Sequence, residues 1–166
     1  EGIDLIPQNM LLAQGNLYFF NPFSPQVFIF DLQELKGKTV LDSSIRRPDA
    51  RTDEFNKRVY MLNSQEGTIT KYEDPLNGAT APSAWILQES LKKPIQAKSM
   101  AVDGNVWILN QNNMLERYFG VLWQEDIKPL VFPLLENATL VKTFLGLPYL
   151  YILDPAGSRV ILFTKS

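Results

Sequence analysis

Four apolar runs of six residues follow one pattern along the chain. Each run has an aromatic residue at its third position and ends in Asn, or in Asp in the last copy. The runs are Asn16–Asn21, Arg58–Asn63, Asn105–Asn110 and Tyr149–Asp154, and their first residues lie 42, 47 and 44 residues apart. Self-similarity at a period of roughly 40–50 residues is typical of proteins built from repeated sheets.

A short polar turn and a second extended run follow each of these runs. The second runs place an aromatic residue three positions after an apolar one: Val27–Phe30, Ile69–Tyr72, Leu115–Tyr118 and Val160–Phe163. The turns between them are rich in Pro, Gly, Ser and Asn, as hairpin turns are. Asp103-Gly104 before Asn105 indicates a further hairpin, because Gly tolerates the positive φ of a tight turn. The pattern therefore predicts hairpin-linked strands at the centre of each copy.

The outer strands are predicted from weaker signals. Ile6–Asn16 aligns without a gap on Ile95–Asn105 and supplies a first strand in copies one and three, whereas copy two has the polar segment Ser43–Arg58 there. Fourth strands are predicted at Thr39–Leu41, Ala84–Leu87 and Leu130–Phe132, and copy four ends after its third strand. No segment has a sustained helical period, and the central strands are apolar throughout, as expected where both faces of a sheet are covered.

These patterns predict an all-β fold: a β-propeller, or a segment of one, with about four blades of four-stranded antiparallel sheet. One domain covers residues 1–166, with repeats at 1–42, 43–90, 91–135 and 136–166, the last of them incomplete. Either further blades come from a longer chain or a second copy, or Glu1–Leu5 pairs beside Arg159–Lys165 and closes a small ring. We expect the first arrangement, because unpaired sheet edges favour association. Since the chain begins at Glu1 rather than Met, we also expect a processed product or part of a longer protein.

Copies three and four resemble the repeats of NHL-type and related six-bladed propellers. The resemblance rests on Ser99–Asn110, which reads SMAVDGNVWILN, and on Tyr149–Phe163, in which Asp154 and Arg159 have the spacing of that repeat. The other copies have different residues at or beside the arginine position: Gln26, Thr68 and Met114. The resemblance implies a propeller fold but no particular activity, since propellers include enzymes, scaffolds and ligand sensors.

Composition excludes several kinds of chemistry. The chain contains no Cys and no His, so disulfides, thiol nucleophiles, His-ligated metals and Ser-His-Asp triads are excluded within it. The net charge of −2 argues against a nucleic-acid-binding surface. No window approaches the roughly 18 apolar residues that predict a membrane-spanning helix. Since a chain without disulfides suits both the cytosol and the exterior of the cell, composition does not indicate the cellular compartment.

The repeated polar and aromatic positions each have two interpretations. One polar position recurs in every copy: Asn21, Asn63, Asn110 and Asp154. Its oxygens suit calcium, which some propeller hydrolases and lactonases bind with ligands from different blades, but such residues also cap the turn that follows a strand. Recurrence in every copy favours the cap. The recurring aromatic residues, such as Trp107, could line a sugar- or quinone-binding surface, but by the same argument they are predicted to pack between sheets, with Asn105–Asn110 as the inner strand of its blade.

Segments that interrupt the repeat are the better candidates for a binding site. Three arginines within 43–58 could clamp a carboxylate, a phosphate or an acidic partner, although acids interleaved with them also suit a solvated loop: Arg46, Arg47 and Arg51. Gly120–Asp126 is predicted to be a connection in which Trp123 either anchors a partner or packs under the adjoining strand.

The leading hypothesis is a non-catalytic interaction or scaffold module that binds a protein or peptide through its variable loops. One alternative is a carbohydrate- or lactone-active propeller that uses carboxylates and calcium, although no local pair of acids stands out. Another is a regulatory propeller appended to a signalling enzyme. We expect no nucleic-acid partner and no cofactor other than calcium. We do expect self-association or additional blades from a longer chain.

Overall fold

The computed structural model describes residues 9–13, 15–20, 26–41, 51–56, 58–63, 68–73, 83–86 and 97–165. These residues contain strands and turns, with no helix among them and hence no helical segment fit to cross a membrane. The described strands form four antiparallel sheets, and in each sheet the strands pair in chain order. The chain is therefore all-β, as the sequence predicts.

Sheets 1 and 2 each contain four strands. Sheet 1 consists of β1 (Asn9–Ala13), β2 (Asn16–Phe20), β3 (Gln26–Asp31) and β4 (Lys36–Leu41). Sheet 2 consists of β5 (Arg51–Phe55), β6 (Arg58–Asn63), β7 (Thr68–Glu73) and β8 (Ser83–Ile86).

Sheet 3 also has four strands, whereas three are described in sheet 4. Sheet 3 consists of β9 (Ala97–Val102), β10 (Asn105–Asn110), β11 (Leu115–Phe119) and β12 (Leu122–Ile127). Sheet 4 consists of β13 (Leu140–Thr143), β14 (Tyr149–Asp154) and β15 (Arg159–Thr164).

The central strands lie where the sequence predicts them, because burial on both faces marks them clearly. In β10, Val106 and Ile108 pack against side chains of sheet 2, while Trp107 and Leu109 pack against sheet 4. Successive side chains of a strand point to opposite faces, so a strand between two sheets is apolar at most positions. Trp107 is buried in this interface, which confirms its predicted core role.

The first strands of the sheets lie side by side along the inner edge of the molecule. Strand β5 contacts both β1 and β9, and β9 also contacts β13. The prediction of Asn105–Asn110 as the inner strand is therefore wrong by one strand, since β9 holds that place in sheet 3. The ungapped alignment of copies one and three is also wrong by one residue in the first strand. It matches Leu12 with Ala101, but the residue that pairs with Tyr18 is Leu11, whereas Ala101 pairs with the equivalent Trp107.

Two strand predictions are wrong, and for related reasons. The fourth strand of sheet 3 is β12, so Gly120–Asp126 is mostly strand and Leu130–Phe132 is not. Strand β12 lies at the outer edge and is only partly covered, so polar residues suit it. The polar segment of copy two likewise contains a first strand, β5, in which Asp53 is buried with hydrogen-bonded partners.

Candidate functional site

The connection between sheets 3 and 4, residues 128–139, is an irregular loop that displays large apolar side chains. Leu130, Phe132 and Leu134 are 84%, 96% and 62% exposed. Scattered exposed leucines are ordinary, but three bulky apolar groups within five positions form a patch of the kind that marks interaction sites. We call residues 128–139 the pinned loop, because the hydrogen bonds described next hold its backbone in place.

Asn113, in the turn between β10 and β11, fixes the second half of the loop. Its φ of 60° is left-handed, a conformation that Asn adopts more readily than most residues. In this position its side-chain nitrogen donates to the carbonyl oxygens of Leu135 and Glu136, each at 3.1 Å. Its side-chain oxygen accepts from the N–H of Ala138 at 3.1 Å and from Lys98 Nζ at 2.9 Å. One side chain thus anchors three backbone groups of the loop.

Arg159, the first residue of β15, fixes the centre of the loop from sheet 4. Its guanidinium donates to the carbonyl oxygens of Pro133 and Leu134, and its Nε donates to Asp154 Oδ2 at 2.9 Å. The buried carboxylate of Asp154 orients the arginine, so its guanidinium points at the loop. The buried side chains of Pro129 and Ala138 lie toward the two ends of the same segment. The apolar side chains therefore project from a fixed backbone.

A second polar cluster joins sheets 2, 3 and 4. Asp53 of β5 accepts from the backbone N–H of Val102 at 2.7 Å and pairs with Lys142 of β13. Asp103, in the turn after β9, accepts from Lys165 at 2.6 Å and from Thr143 at 3.0 Å. Each carboxylate is matched by a lysine and by further donors, so the cluster is satisfied within the protein. Its evident role is to tie the three sheets together.

The environment of Asp103 favours its charged form. Burial raises the pKa of the Asp103 carboxyl, but hydrogen bonds from Lys165, Trp107, Thr143 and the backbone of Asn105 outweigh burial and hold that pKa below its ordinary value of 3.8. A carboxylate with a lowered pKa is a poor general acid or base near neutral pH. This geometry indicates stabilisation rather than proton transfer.

Of the candidate binding residues predicted from sequence, only Trp123 has a described side chain. Arg46 and Arg47 lie outside the described residues, and Arg51 begins β5 with its side chain also outside them. Trp123 lies on β12 opposite Tyr118, is partly buried against the core between sheets 2 and 3, and donates from Nε1 to Asp126 at 3.0 Å. It therefore packs under the adjoining strand, the second of the two arrangements predicted for it.

Asn110, one of the repeated calcium candidates, caps its own turn. Its side-chain oxygen accepts from the N–H groups of Asn112 at 2.9 Å and Met114 at 3.1 Å, and its nitrogen donates to the buried Glu116 at 2.8 Å. Tyr118 donates to Glu116 as well, and burial, followed by the negative charge of Glu116, raises the pKa of the Tyr118 phenol. The predicted capping role of Asn110 is confirmed.

The structure shows less about the other three calcium candidates. Asn21 lies outside the described residues, as does the side chain of Asn63. Asp154 binds Arg159 through one oxygen, while its other oxygen is buried without a described hydrogen-bond partner. Within the described ranges no three His, Cys, Asp or Glu side chains are grouped to hold a metal ion. A calcium site at this repeated position remains a prediction.

The most informative site residues were not predicted as such. Asn113 is part of a predicted polar turn, with nothing in the sequence to show that its side chain reaches residues 22 to 25 positions away. Arg159 carries a usable signal, since only copy four has arginine at that repeated position. Within the loop, Leu130–Phe132 is predicted to be a strand because its three apolar residues resemble one.

Comparison with known proteins supports the fold. No protein-family model and no curated protein matches the chain. Three solved β-propellers are similar in structure: a chain of a nidogen–laminin complex (TM-score 0.61, 13% identity, 95% of this chain and 59% of that one), streptogramin B lyase (0.57, 10%, 97% and 52%) and a luciferin-regenerating enzyme (0.61, 16%, 88% and 52%). The chain is thus a β-propeller in fold and spans just over half the length of these structures.

Proposed function

We propose that the chain is an interaction module that binds an apolar segment of a protein or peptide through the pinned loop. The observation that carries this proposal is the exposure of Leu130 and Phe132 on a backbone held by Asn113 and Arg159. When a partner covers apolar side chains that are in contact with water, the free energy falls by roughly 25 cal/mol per Å² of buried surface. Their clustering gives a partner one compact target.

Fixing the loop raises the affinity that such a patch can reach. A mobile loop would lose backbone freedom on binding, at a cost of roughly 1–2 kcal/mol per ordered residue. Here the hydrogen bonds from Asn113 and Arg159 order the loop in the free protein. Preorganisation of this kind reduces the entropic cost of association. Because the exposed side chains are apolar, the partner that fits best is a segment with aliphatic or aromatic side chains.

The similar structures support this proposal only in a general way. One of them is a chain of a nidogen–laminin complex, a propeller in an assembly of proteins, while the lyase and the luciferin-regenerating enzyme are enzymes by name. Likeness at this identity concerns the fold, on which both kinds of function occur. Among the described residues no group of three His, Cys, Asp or Glu side chains is placed to hold the metal ion of the enzyme alternative.

A random peptide library displayed on phage tests the proposal directly. Peptides selected on the wild-type chain should be rich in apolar residues, and their Kd, measured by fluorescence polarisation, should rise at least tenfold in the double variant Leu130→Ser/Phe132→Ser. Central apolar anchors commonly contribute more than about 1 kcal/mol each to binding. The matched control is Leu145→Ser, because Leu145 is also highly exposed but lies between β13 and β14.

Three outcomes would contradict the proposal. These are a failure to select any binding peptide, peptides that bind the double variant as tightly as the wild type, and an equal loss of affinity in Leu145→Ser. Circular dichroism of each variant shows whether the sheets remain folded, which is expected because all three replaced side chains are exposed.

A further inference from the structure

The face of sheet 4 that points away from sheet 3 is apolar and open. Leu153 lies beside Leu140 on one side and Val160 on the other, and in the next row Tyr151 lies between Leu162 and Lys142, whose ammonium pairs with Asp53. Leu140, Val160 and Leu162 are each exposed by about half. The opposite face, with Leu150 and Ile152, is fully buried against sheet 3. One sheet thus has two apolar faces, of which only one is covered.

The repeat shows what this open face lacks. Tyr18, Tyr60 and Trp107 occupy one repeated position in sheets 1 to 3, and all three are buried. In sheets 2 and 3 the cover is the next sheet along, since Tyr60 packs against sheet 3 and Trp107 against sheet 4. Tyr151 is the same position in sheet 4, where it is only partly buried and meets Phe144 edge to face at 5.7 Å. Its place in the repeat is that of a residue covered by a following sheet.

Sheet 1, at the other end of the described row of sheets, has a second exposed apolar face. Met10 and Leu12 of β1 are exposed by more than half and point to the same side as Phe19, whose ring lies 5.9 Å from that of Phe28. The opposite face of this sheet, with Tyr18 and Ile29, is buried. Among the described residues, one apolar sheet face is thus left exposed at each end of the row of sheets.

We propose that these two faces bind each other between two copies of the chain, the open face of sheet 4 in one copy packing on the open face of sheet 1 in the other. Because the two faces differ, the contact is head to tail, and two such contacts close a ring of two copies. One chain spans 52–59% of the length of the similar propellers, so two copies supply about as much chain as one of them. Two copies also bring together eight sheets, within the usual four to eight blades of a closed propeller.

Measurement of mass in solution tests this pairing. By light scattering after size exclusion the wild-type chain should have about twice the mass of one chain, 18.9 kDa. Leu162→Glu in sheet 4 and Leu12→Glu in sheet 1 should each halve that mass, because a buried unpaired charge opposes packing. Both side chains are more than half exposed in the single chain, so each variant should still fold. Phe132→Ser on the pinned loop is the control and should leave the mass unchanged.

Mixing the two variants distinguishes head-to-tail pairing from other contacts. Leu162→Glu keeps an intact sheet 1 and Leu12→Glu keeps an intact sheet 4, so the mixture should regain the dimer mass through one remaining contact. A mixture that stays monomeric would overturn the head-to-tail arrangement, and a monomeric wild-type chain at 100 µM or so would overturn the pairing itself. The latter result would instead assign the open faces to blades of a longer chain. Peptide binding by the pinned loop is unaffected by either result, so the two proposals fail independently.

Discussion

At the scale of single residues, Trp107 combines packing with hydrogen bonding. Its ring fills the space between sheets 3 and 4, with the guanidinium of Arg117 5.8 Å from the ring centroid, and its Nε1 donates to Asp103 at 3.1 Å. Replacement of Trp107 by Ala should lower the free energy of unfolding by about 3–5 kcal/mol, because the cavity cannot close between two rigid sheets. Trp107→Phe keeps most of the packing and should cost about 1–2 kcal/mol. Urea unfolding followed by circular dichroism would show both losses, and equal stability of the two variants would contradict this account.

Asp103 should make stability depend on pH in the acid range. Since its pKa is below 3.8 in the folded chain, the folded state releases the proton more readily than the unfolded state. The stabilisation is therefore complete above about pH 5 and is lost as the pH falls through 3.8 toward the folded pKa. As the pH is lowered from 7 to 2.5, the urea midpoint of unfolding should fall more steeply in the wild type than in Asp103→Asn.

Removal of an exposed carboxyl controls for that experiment. Glu34 forms a solvent-exposed pair with Lys36 in the turn after β3. Glu34→Gln changes the formal charge as Asp103→Asn does, but removes no contact between sheets. If the two variants had the same pH profile, the network around Asp103 would not be the cause.

Sequence predicts the repeated residues better than the unique ones. Trp107 could be assigned to the core because equivalent aromatic residues recur in every copy, and a recurring residue occupies a recurring environment. Asp103 was predicted only as a turn residue, because its partners Thr143 and Lys165 lie 40 and 62 positions away and nothing local indicates them. Pairings between copies depend on how the sheets pack, which a single sequence does not reveal.

At the scale of elements, the pinned loop depends on Asn113. Asn113→Gly should preserve the turn, since Gly accepts the positive φ, but removes every hydrogen bond of the side chain. We expect the amide of Ala138, which donates to Asn113, to exchange with deuterium at least tenfold faster, together with higher mobility at 135–138. Affinity for selected peptides should fall several-fold although no contact residue has changed. Asn113→Ala should cost more stability, because Ala is strained at this φ.

Edge strands and loops were predicted least well. Hydrophobicity identifies strands covered on both faces, such as β10, but β12 has one edge open to solvent and reads as LWQEDI. Leu130–Phe132 in the pinned loop is predicted to be a strand for the opposite reason, because exposed apolar groups there resemble buried ones in sequence. An apolar run outside the repeat therefore deserves consideration as a surface feature as well as a strand.

At the scale of the whole molecule, sheets 2, 3 and 4 are joined near their inner edge by polar contacts as well as by the apolar core. The number of sheets could be predicted from the period, yet the link between Asp53 and Lys142 joins residues 89 positions apart. It connects sheet 2 to sheet 4 across β9, whose Val102 amide also donates to Asp53. Polar residues thus occupy β5, where the pattern of apolar positions predicts no strand, because their partners come from other sheets.

A double-mutant cycle measures what this link contributes to the packing of the sheets. Asp53→Asn and Lys142→Met should each destabilise the chain, the second because it leaves a carboxylate only 2% exposed without its cation. In the double variant the charge is gone from both sides, so its loss of stability should be smaller than the sum of the single losses by about 1–2 kcal/mol. The same cycle on Lys36 and Glu34, an exposed pair, should give a coupling below about 0.5 kcal/mol. If the losses at Asp53 and Lys142 simply added, the pair would lie close in space without coupling sheets 2 and 4, and the apolar interfaces between neighbouring sheets would have to supply their cohesion.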